Sequence, residues 1–201
     1  MKKCLLFVLL LVLASCSSFK AERVDDKTAD EKGLSITDKW MGEDTRRAVD
    51  TLIEQMKNHK GYKRAMAQSG GAPKVFIAEV QNNTSEAYFP IDDFNDEFLM
   101  ELSSMGDFVL VDAKARDKIL EEVTYQNDGM VDPATAKQIG KQLGADFMIF
   151  GNVYMKPQKR DGKTIKEYSV NLRMTNIEKA TEVFRLRTRI NKFSDQSSYS
   201  W

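Results

Sequence analysis

The sequence predicts an α/β protein with α+β character, built on a mixed sheet of about five strands flanked by helices. In residues 43–111, apolar segments with helical spacing alternate with two short β-branched segments, which favours helices packed on a sheet. The last third consists almost entirely of strand-like segments separated by turn residues, which predicts a closing antiparallel meander of three strands. A length of 201 residues with 42% hydrophobic residues suits one globular domain with an appended segment.

The first fifteen residues are typical of a signal peptide. Two lysines precede the apolar run 5–14, which is about half the length needed to span a bilayer. Leu13-Ala14-Ser15-Cys16 resembles the bacterial lipobox, in which the chain is cut before the cysteine and the cysteine is acylated. The resemblance implies that residues 1–15 are removed and that Cys16 is the lipidated first residue. The alternatives are an uncut amphipathic anchor and an ordinary secretory signal with a chance cysteine.

The residue after the cysteine bears on the destination of the protein. It is Ser17 and not the aspartate that resembles an inner-membrane retention signal. The expected location is therefore the outer membrane, with the protein lipid-anchored at Cys16 and facing the periplasm. Several acyl chains together hold a protein durably on a membrane surface.

Residues 16–38 are predicted to be a lipidated N-terminus and flexible tether, because they are polar and charged without hydrophobic period. A single globular domain is expected over 39–201, beginning with a lead-in helix at 43–58. Small and basic residues predict a loop at 60–73. The apolar stripe of the lead-in helix consists of Val49, Leu52, Ile53 and Met56.

Four elements follow in the middle of the chain. Residues 74–80 form a β-branched strand ended by turn-forming residues, and 108–111 form a second, shorter strand. Between them the apolar spacing predicts a helix from Ile91 to Met105, closed by Gly106. Two further helices are expected, one capped by Asp112 and one opened by Asp132-Pro133.

The closing meander has the clearest strand pattern. Residues 146–156 are apolar on both faces, which predicts a central strand with a bulge or close approach at Gly151. Asp161-Gly162 is a two-residue hairpin signal. Residues 165–174 and 184–190 then alternate between apolar and polar side chains.

Composition and motifs exclude several classes of function. Thirty Lys and Arg balance thirty Asp and Glu, so no net positive field would attract nucleic acid. The phosphate-binding and nucleophile-elbow motifs do not occur in the sequence. The single histidine, His59, is expected to be solvated or to favour a helix dipole, and Asp92-Asp93 fall in a first helical turn. We therefore expect no enzyme, no cofactor and no metal site.

A row of arginines in the last strand is the candidate binding feature. Arg185, Arg187 and Arg189 alternate with apolar residues and would share one face. Three interpretations are open: a face covered by a helix, a docking face for an acidic partner protein, or a contact with anionic polymer or lipid. The loop after the first strand is the second candidate for partner docking, through Asn82, Asn83 and Tyr88.

An ordered series of motifs covers most of the chain after the tether, and it accompanies the lipobox and a length near 200 residues. Its members are Asp38-Lys39-Trp40, residues 80–84 (VQNNT), 106–111 (GDFVLV), 136–153 (AKQIGKQLGADFMIFGNV) and 172–176 (LRMTN). This series resembles the penicillin-binding-protein activator lipoproteins of the LpoB type.

The resemblance implies a non-enzymatic regulator that binds a class A penicillin-binding protein, a bifunctional peptidoglycan synthase, and stimulates it. The tether departs from the pattern, because residues 17–38 are short and contain no proline, whereas comparable members carry a long proline-rich tether. The alternative is a non-activating envelope adaptor or structural lipoprotein that binds peptidoglycan or an envelope or secretion complex. A curli-type secretion subunit would need long amphipathic membrane hairpins, for which no segment is spare.

Overall fold

The computed structural model describes residues 21–111 and 144–196, and these contain a five-stranded mixed sheet with four helices. The strands are β1 Lys74–Asn82, β2 Val109–Leu110, β3 Phe147–Arg160, β4 Lys163–Asn176 and β5 Thr181–Asp195. The strand order is β2-β1-β3-β4-β5, with β1 parallel to β2 and β3 and the last three strands antiparallel. The predicted fold class is confirmed, including the closing meander and the central place of β3.

The first helix, α1, spans Asp26–Ile36, inside the segment for which the sequence predicts a flexible tether. The Asp25 side chain caps it by accepting a hydrogen bond from the Thr28 amide at 3.0 Å. The helix buries none of its residues, so it lacks the apolar stripe by which the sequence could have revealed it. The sequence-based expectation of a flexible tether over 16–38 is wrong for these eleven residues, which form a helix.

The lead-in helix is observed as α2, Gly42–Asn58, with its predicted stripe buried. The loop predicted for 60–73 is wrong in its first part, because Lys60–Gln68 form a third helix, α3. His59 joins the two helices: its backbone ends α2, and its ring Nδ1 accepts the Gly61 amide at 3.0 Å to cap α3. A side chain that caps a helix lets the chain turn without a glycine or proline signal.

The main core lies between the sheet and helices α2 and α4, the latter spanning Ile91–Ser104. Alternate residues of the strands face these helices, and Tyr168 and Phe98 are among the largest fully buried side chains. We call the side of the sheet that packs against α2 and α4 the helical face. A smaller buried cluster occupies part of the opposite face and consists of Phe76, Ala78, Ala145, Met148, Phe150 and Ile177. The helices predicted from Asp112 and from Asp132-Pro133 lie outside the described residues.

The β3–β4 hairpin closes with the expected two-residue turn. Asp161 and Gly162 have φ angles of 48° and 76°, as a type I′ turn requires. Gly151 is a site of close approach: a Cβ atom there would collide with the backbone oxygen of Asn171 on β4. The bulge lies on the neighbouring strand, where the register with β3 shifts between Ile77 and Val80.

Candidate docking face

The arginine row is exposed on the sheet face opposite the helical face. In β5 the side chains of Arg185 and Arg189 are 60% and 52% exposed, while Leu186 and Thr188 between them are buried. The interpretation that a helix covers this row is wrong for these two residues. Register places Arg173 of β4 directly opposite Arg185. We call the surface formed by Arg173, Arg185, Arg187 and Arg189 the arginine face.

A β-bulge brings one acidic side chain onto this face. The β4–β5 register shifts so that Met174 pairs with Phe184 but Thr175 pairs with Glu182. The extra residue turns Glu182 to the same side as the arginines. Its carboxylate lies 2.8 Å from Arg185 and 3.0 Å from Arg173. The hydrogen bond from Arg185 holds the pKa of Glu182 below its usual value, so Glu182 remains ionised and neutralises part of the charge.

The remaining charge on the arginine face is still positive. Arg189 approaches Glu167 at 3.8 Å, and Arg187 donates from Nε to the neutral Asn171 side chain at 2.5 Å. Within the described part of the chain, four guanidinium groups therefore share two carboxylates. Exposed ion pairs of this kind are weak, so the arginines can exchange them for carboxylates of a partner.

A shallow depression of about 180 Å³ lies within the arginine face. The Arg173 guanidinium stands 5.5 Å from the centroid of the Phe150 ring, which gives the depression an apolar wall with a cation above it. Such a surface can accept a carboxylate together with an apolar or aromatic side chain. The described residues that contribute most of its polar lining are Asn152, Tyr154, Asn171, Arg173, Arg185 and Arg187.

The structure does not bring the Asn82–Tyr88 loop into this depression. Asn82 shapes the loop, because its side-chain oxygen accepts the Thr84 amide at 2.9 Å. The Asn83 amide donates to the Val153 backbone oxygen, and Tyr88 is 94% exposed. Docking through Asn82, Asn83 and Tyr88 stays a prediction, and it concerns a surface separate from the arginine face.

The loop is fixed to the helical face by a cluster that sequence reasoning did not find. Lys166 Nζ lies 2.8 Å from carboxylate oxygens of both Asp38 and Glu86, with all three side chains at most 23% exposed. The Tyr168 hydroxyl donates to Glu86 at 2.9 Å, and Ser194 donates to Asp38 at 2.8 Å. We call these five residues the entry cluster, because the chain from the predicted tether enters the domain at Asp38.

The entry cluster is electrostatically stable at neutral pH. The hydrogen bond from Lys166 holds the pKa of Asp38 below its usual value, although burial opposes this shift. Burial alone would lower the pKa of Lys166, but its hydrogen bonds to Asp38 and Glu86 outweigh that effect and raise it. Asp38 and Lys166 are therefore charged and paired. Sequence separations of 80 and 128 residues within the entry cluster explain why no local pattern revealed it.

The catalytic candidates have structural explanations in the described residues. His59 uses its ring nitrogen to cap a helix, and Asp92 and Asp93 lie in the first turn of α4. In the described part of the chain, acidic, histidine and cysteine side chains form no group of three that could hold a metal ion. No helix within 21–111 or 144–196 is long and apolar enough to cross a membrane.

Comparisons with known proteins identify the family. The family model described as "Peptidoglycan-synthase activator LpoB" matches residues 44–190. The structure is similar to the LpoB C-terminal domain from Salmonella enterica, with a TM-score of 0.53 and 13% identity over 73% of this chain and 98% of that one. It is also similar to the LpoB C-terminal domain from Escherichia coli, with a TM-score of 0.52 and 12% identity over 73% of this chain and 98% of that one. None of the curated proteins matches the sequence.

The solution structure of Escherichia coli LpoB is a third similar structure, with a TM-score of 0.50, 10% identity and coverage of 90% of this chain and 78% of that one. At such identities the structural likeness establishes the fold. Because the family model spans well over half of the chain, the protein belongs to the LpoB family of peptidoglycan-synthase activators. Members of this family are regulators and not catalysts, and the partner that the family implies is a peptidoglycan synthase, broadly a penicillin-binding protein.

Proposed function

We propose that this protein is an outer-membrane lipoprotein that docks through its arginine face on a class A penicillin-binding protein and stimulates it. The observation that carries the docking surface is an exposed sheet face on which four arginines share two carboxylates of the described residues. Such a face favours a partner with acidic side chains, since complementary charge speeds association and fixes orientation. The family supports a peptidoglycan synthase as that partner.

Stimulation requires more than binding. A partner that binds the active and inactive forms of an enzyme equally well leaves their ratio unchanged. The arginine face must therefore contact the synthase more favourably in its active arrangement. A rigid sheet suits this role, because strand register holds the backbone of its arginines at fixed spacings, so the backbone loses little freedom on binding.

The membrane anchor is the second part of the proposal. Cys16 follows a short apolar segment and small residues, which supports cleavage before it and lipidation of its thiol. Ser17 in place of aspartate supports transfer to the outer membrane. The protein would then act from the outer membrane on a synthase whose periplasmic part reaches it.

A reconstituted synthesis assay tests the proposed function. The lipidated full chain is used to capture partners from detergent-solubilised envelope, and glycan polymerisation by the recovered synthase is measured with and without the protein. We expect a class A penicillin-binding protein to be recovered and its rate to rise. Binding without a change in rate would instead indicate the non-activating adaptor, and recovery of no synthase would refute both the partner and the activation.

A charge-reversal pair tests the docking surface. The variant Arg185→Glu/Arg187→Glu should lose stimulation while its unfolding midpoint stays near that of the natural chain, because both side chains are exposed. The matched control is Lys63→Glu/Arg64→Glu, which makes the same change in net charge on the exposed surface of α3. Equal loss in both variants would mean that net charge, and not the arginine face, determines the effect.

A further inference from the structure

The far end of the β3–β4–β5 meander carries exposed apolar side chains among basic ones. Ile165 of β4 and Phe193 of β5 are directly paired across the strands, yet they are 43% and 63% exposed. A large aromatic side chain that stays in water lacks the favourable free energy of burial, and its contacts on this sheet do not bury it. We call this surface, together with the adjoining turn around Asp161-Gly162, the hairpin end.

The charge around this apolar pair is mainly positive. Lys159, Arg160 and Lys163 line the same shallow depression of about 500 Å³, with Asp161 as the one described acidic residue in its lining. Arg160 and Asp161 face each other at 3.4 Å but are 92% and 87% exposed, so this ion pair contributes little. Exposed aliphatic and aromatic side chains surrounded by lysine and arginine are the pattern of surfaces that rest on anionic phospholipid.

The path of the N-terminal chain places this end toward the membrane anchor. Asp38 accepts hydrogen bonds from Lys166 and Ser194, the immediate neighbours of Ile165 and Phe193. The segment between α1 and α2 is therefore fixed at the hairpin end, and α1 connects this segment to the chain from Cys16. Side chains of adjacent strand residues point to opposite faces, so the entry cluster and the exposed apolar pair lie on two sides of one sheet end.

Helix α1 shortens the free part of the tether. Asp30 contacts Arg47 of α2 at 3.3 Å, and Asp26 lies 3.7 Å from Arg46. With α1 held against the first turns of α2, only residues 17–25 remain to connect Cys16 to the domain, and nine extended residues span at most about 30 Å. A surface kept so close to the bilayer has a high effective concentration there, so even a weak lipid contact is populated.

We propose that the hairpin end is a second membrane contact, in which Phe193 and Ile165 enter the interface of the anchoring bilayer and Lys159, Arg160 and Lys163 bind its anionic headgroups. This inference rests on the lipid anchor of the proposed function. It fixes the orientation of the domain, with Arg189 about 13 Å and Arg185 about 26 Å along β5 from Phe193. The arginine face then stands away from the membrane and is open to a synthase approaching from the periplasm.

Depth-dependent fluorescence quenching tests the contact. The lipidated full chain carrying Phe193→Trp and Trp201→Phe is reconstituted in vesicles of phosphatidylethanolamine and phosphatidylglycerol with brominated acyl chains. The matched control places the tryptophan at an exposed apolar position at the opposite end of the sheet, Val109→Trp, in the same background. Trp40 is buried in the main core at 6% exposure and serves as the unquenched internal reference in both chains.

We expect strong quenching of the tryptophan at position 193 and little at position 109. Charge reversal at Lys159, Arg160 and Lys163 should abolish the difference, because each cation contributes about fivefold to partitioning onto an anionic surface. Replacing the lipid with brominated phosphatidylcholine should reduce the difference in quenching between the two positions.

Flotation of the vesicles separates failure of the anchor from failure of the contact. If the chain floats with the vesicles but position 193 is no more quenched than position 109, the hairpin end does not touch the bilayer and is instead a surface for a protein partner. If the chain does not float, the lipid anchor fails and this inference fails with it. Quenching that persists in the charge-reversed chain and in phosphatidylcholine would overturn the role of the anionic headgroups.

Discussion

The Nζ atom of Lys192 lies 2.6 Å from Oδ2 of Asp44, and both side chains are only 4% exposed. The pair joins β5 to the first turn of α2 beneath the surface of the domain. The same carboxylate oxygen of Asp44 accepts the Met41 amide at 2.9 Å, so it also caps the helix. Two charges without water around them are stable only while each has its partner.

Removing one partner of this pair should therefore be costly. We expect Lys192→Met to lower the free energy of unfolding by about 3 kcal/mol, because it leaves the Asp44 carboxylate buried without its cation. The double variant Asp44→Asn/Lys192→Met should recover part of this loss, since a neutral amide remains where the charge was. Urea denaturation of the natural chain, the single variants Asp44→Asn and Lys192→Met and the double variant measures these values. A double variant as unstable as the sum of the two single ones would contradict the coupling.

The parts of the fold that were predictable are those whose apolar spacing is long and regular. The helix at 91–104 and the strands of the meander bury one side of a repeating pattern, and the pattern is visible without any partner. Helices α1 and α3 bury no residue and one residue respectively, so their sequences carry no such pattern. Helix α1 depends on its cap at Asp25 and on ion pairs with α2. Helix α3 depends on its cap at His59 and on the hydrogen bond that Tyr62 donates to Asp107.

The candidate docking face likewise has parts that the sequence predicts and parts that it does not. Alternation along β5 was enough to place Arg185, Arg187 and Arg189 on one face, because the period of a strand is fixed by its backbone. The arrival of Glu182 on that face could not be predicted, since it depends on a bulge that changes the register by one residue. The entry cluster joins residues up to 156 positions apart and required the tertiary structure.

Neutralising Glu182 changes the arginine face in the opposite sense to charge reversal of its arginines, because the face becomes more positive. We expect Glu182→Gln to strengthen binding of the synthase roughly two- to threefold, because it frees Arg185 and Arg173 for an acidic partner while removing only two partly exposed ion pairs. Titration of the partner at low and moderate salt measures the gain, which should shrink as salt rises. Weaker binding by this variant would mean that Glu182 itself contacts the partner.

Acid should release the entry cluster. The pKa of Asp38 in the folded protein lies below the usual value of 3.8, so its contribution to stability is complete above that value and is lost as pH falls through the lowered pKa. We expect Asp38→Asn to be less stable than the natural chain by about 1 kcal/mol at pH 7, and the gap to close below about pH 4. Thermal unfolding across this range measures the gap, and one that stays constant would exclude the ionised form as its source.

Gly151 tests the central pairing of β3 with β4. A methyl group at this position meets the backbone oxygen of Asn171 and the Leu172 side chain, and the backbone cannot move aside without breaking the ladder. We expect Gly151→Ala to lower the free energy of unfolding by about 2 kcal/mol, within the usual range for overpacking. Gly71→Ala is the matched control, because a Cβ atom there meets nothing within 4 Å, and its effect should stay within about 0.5 kcal/mol. Denaturant unfolding of both variants measures the two values, and equal stability would mean that β3 and β4 do not approach as closely at this residue as the register requires.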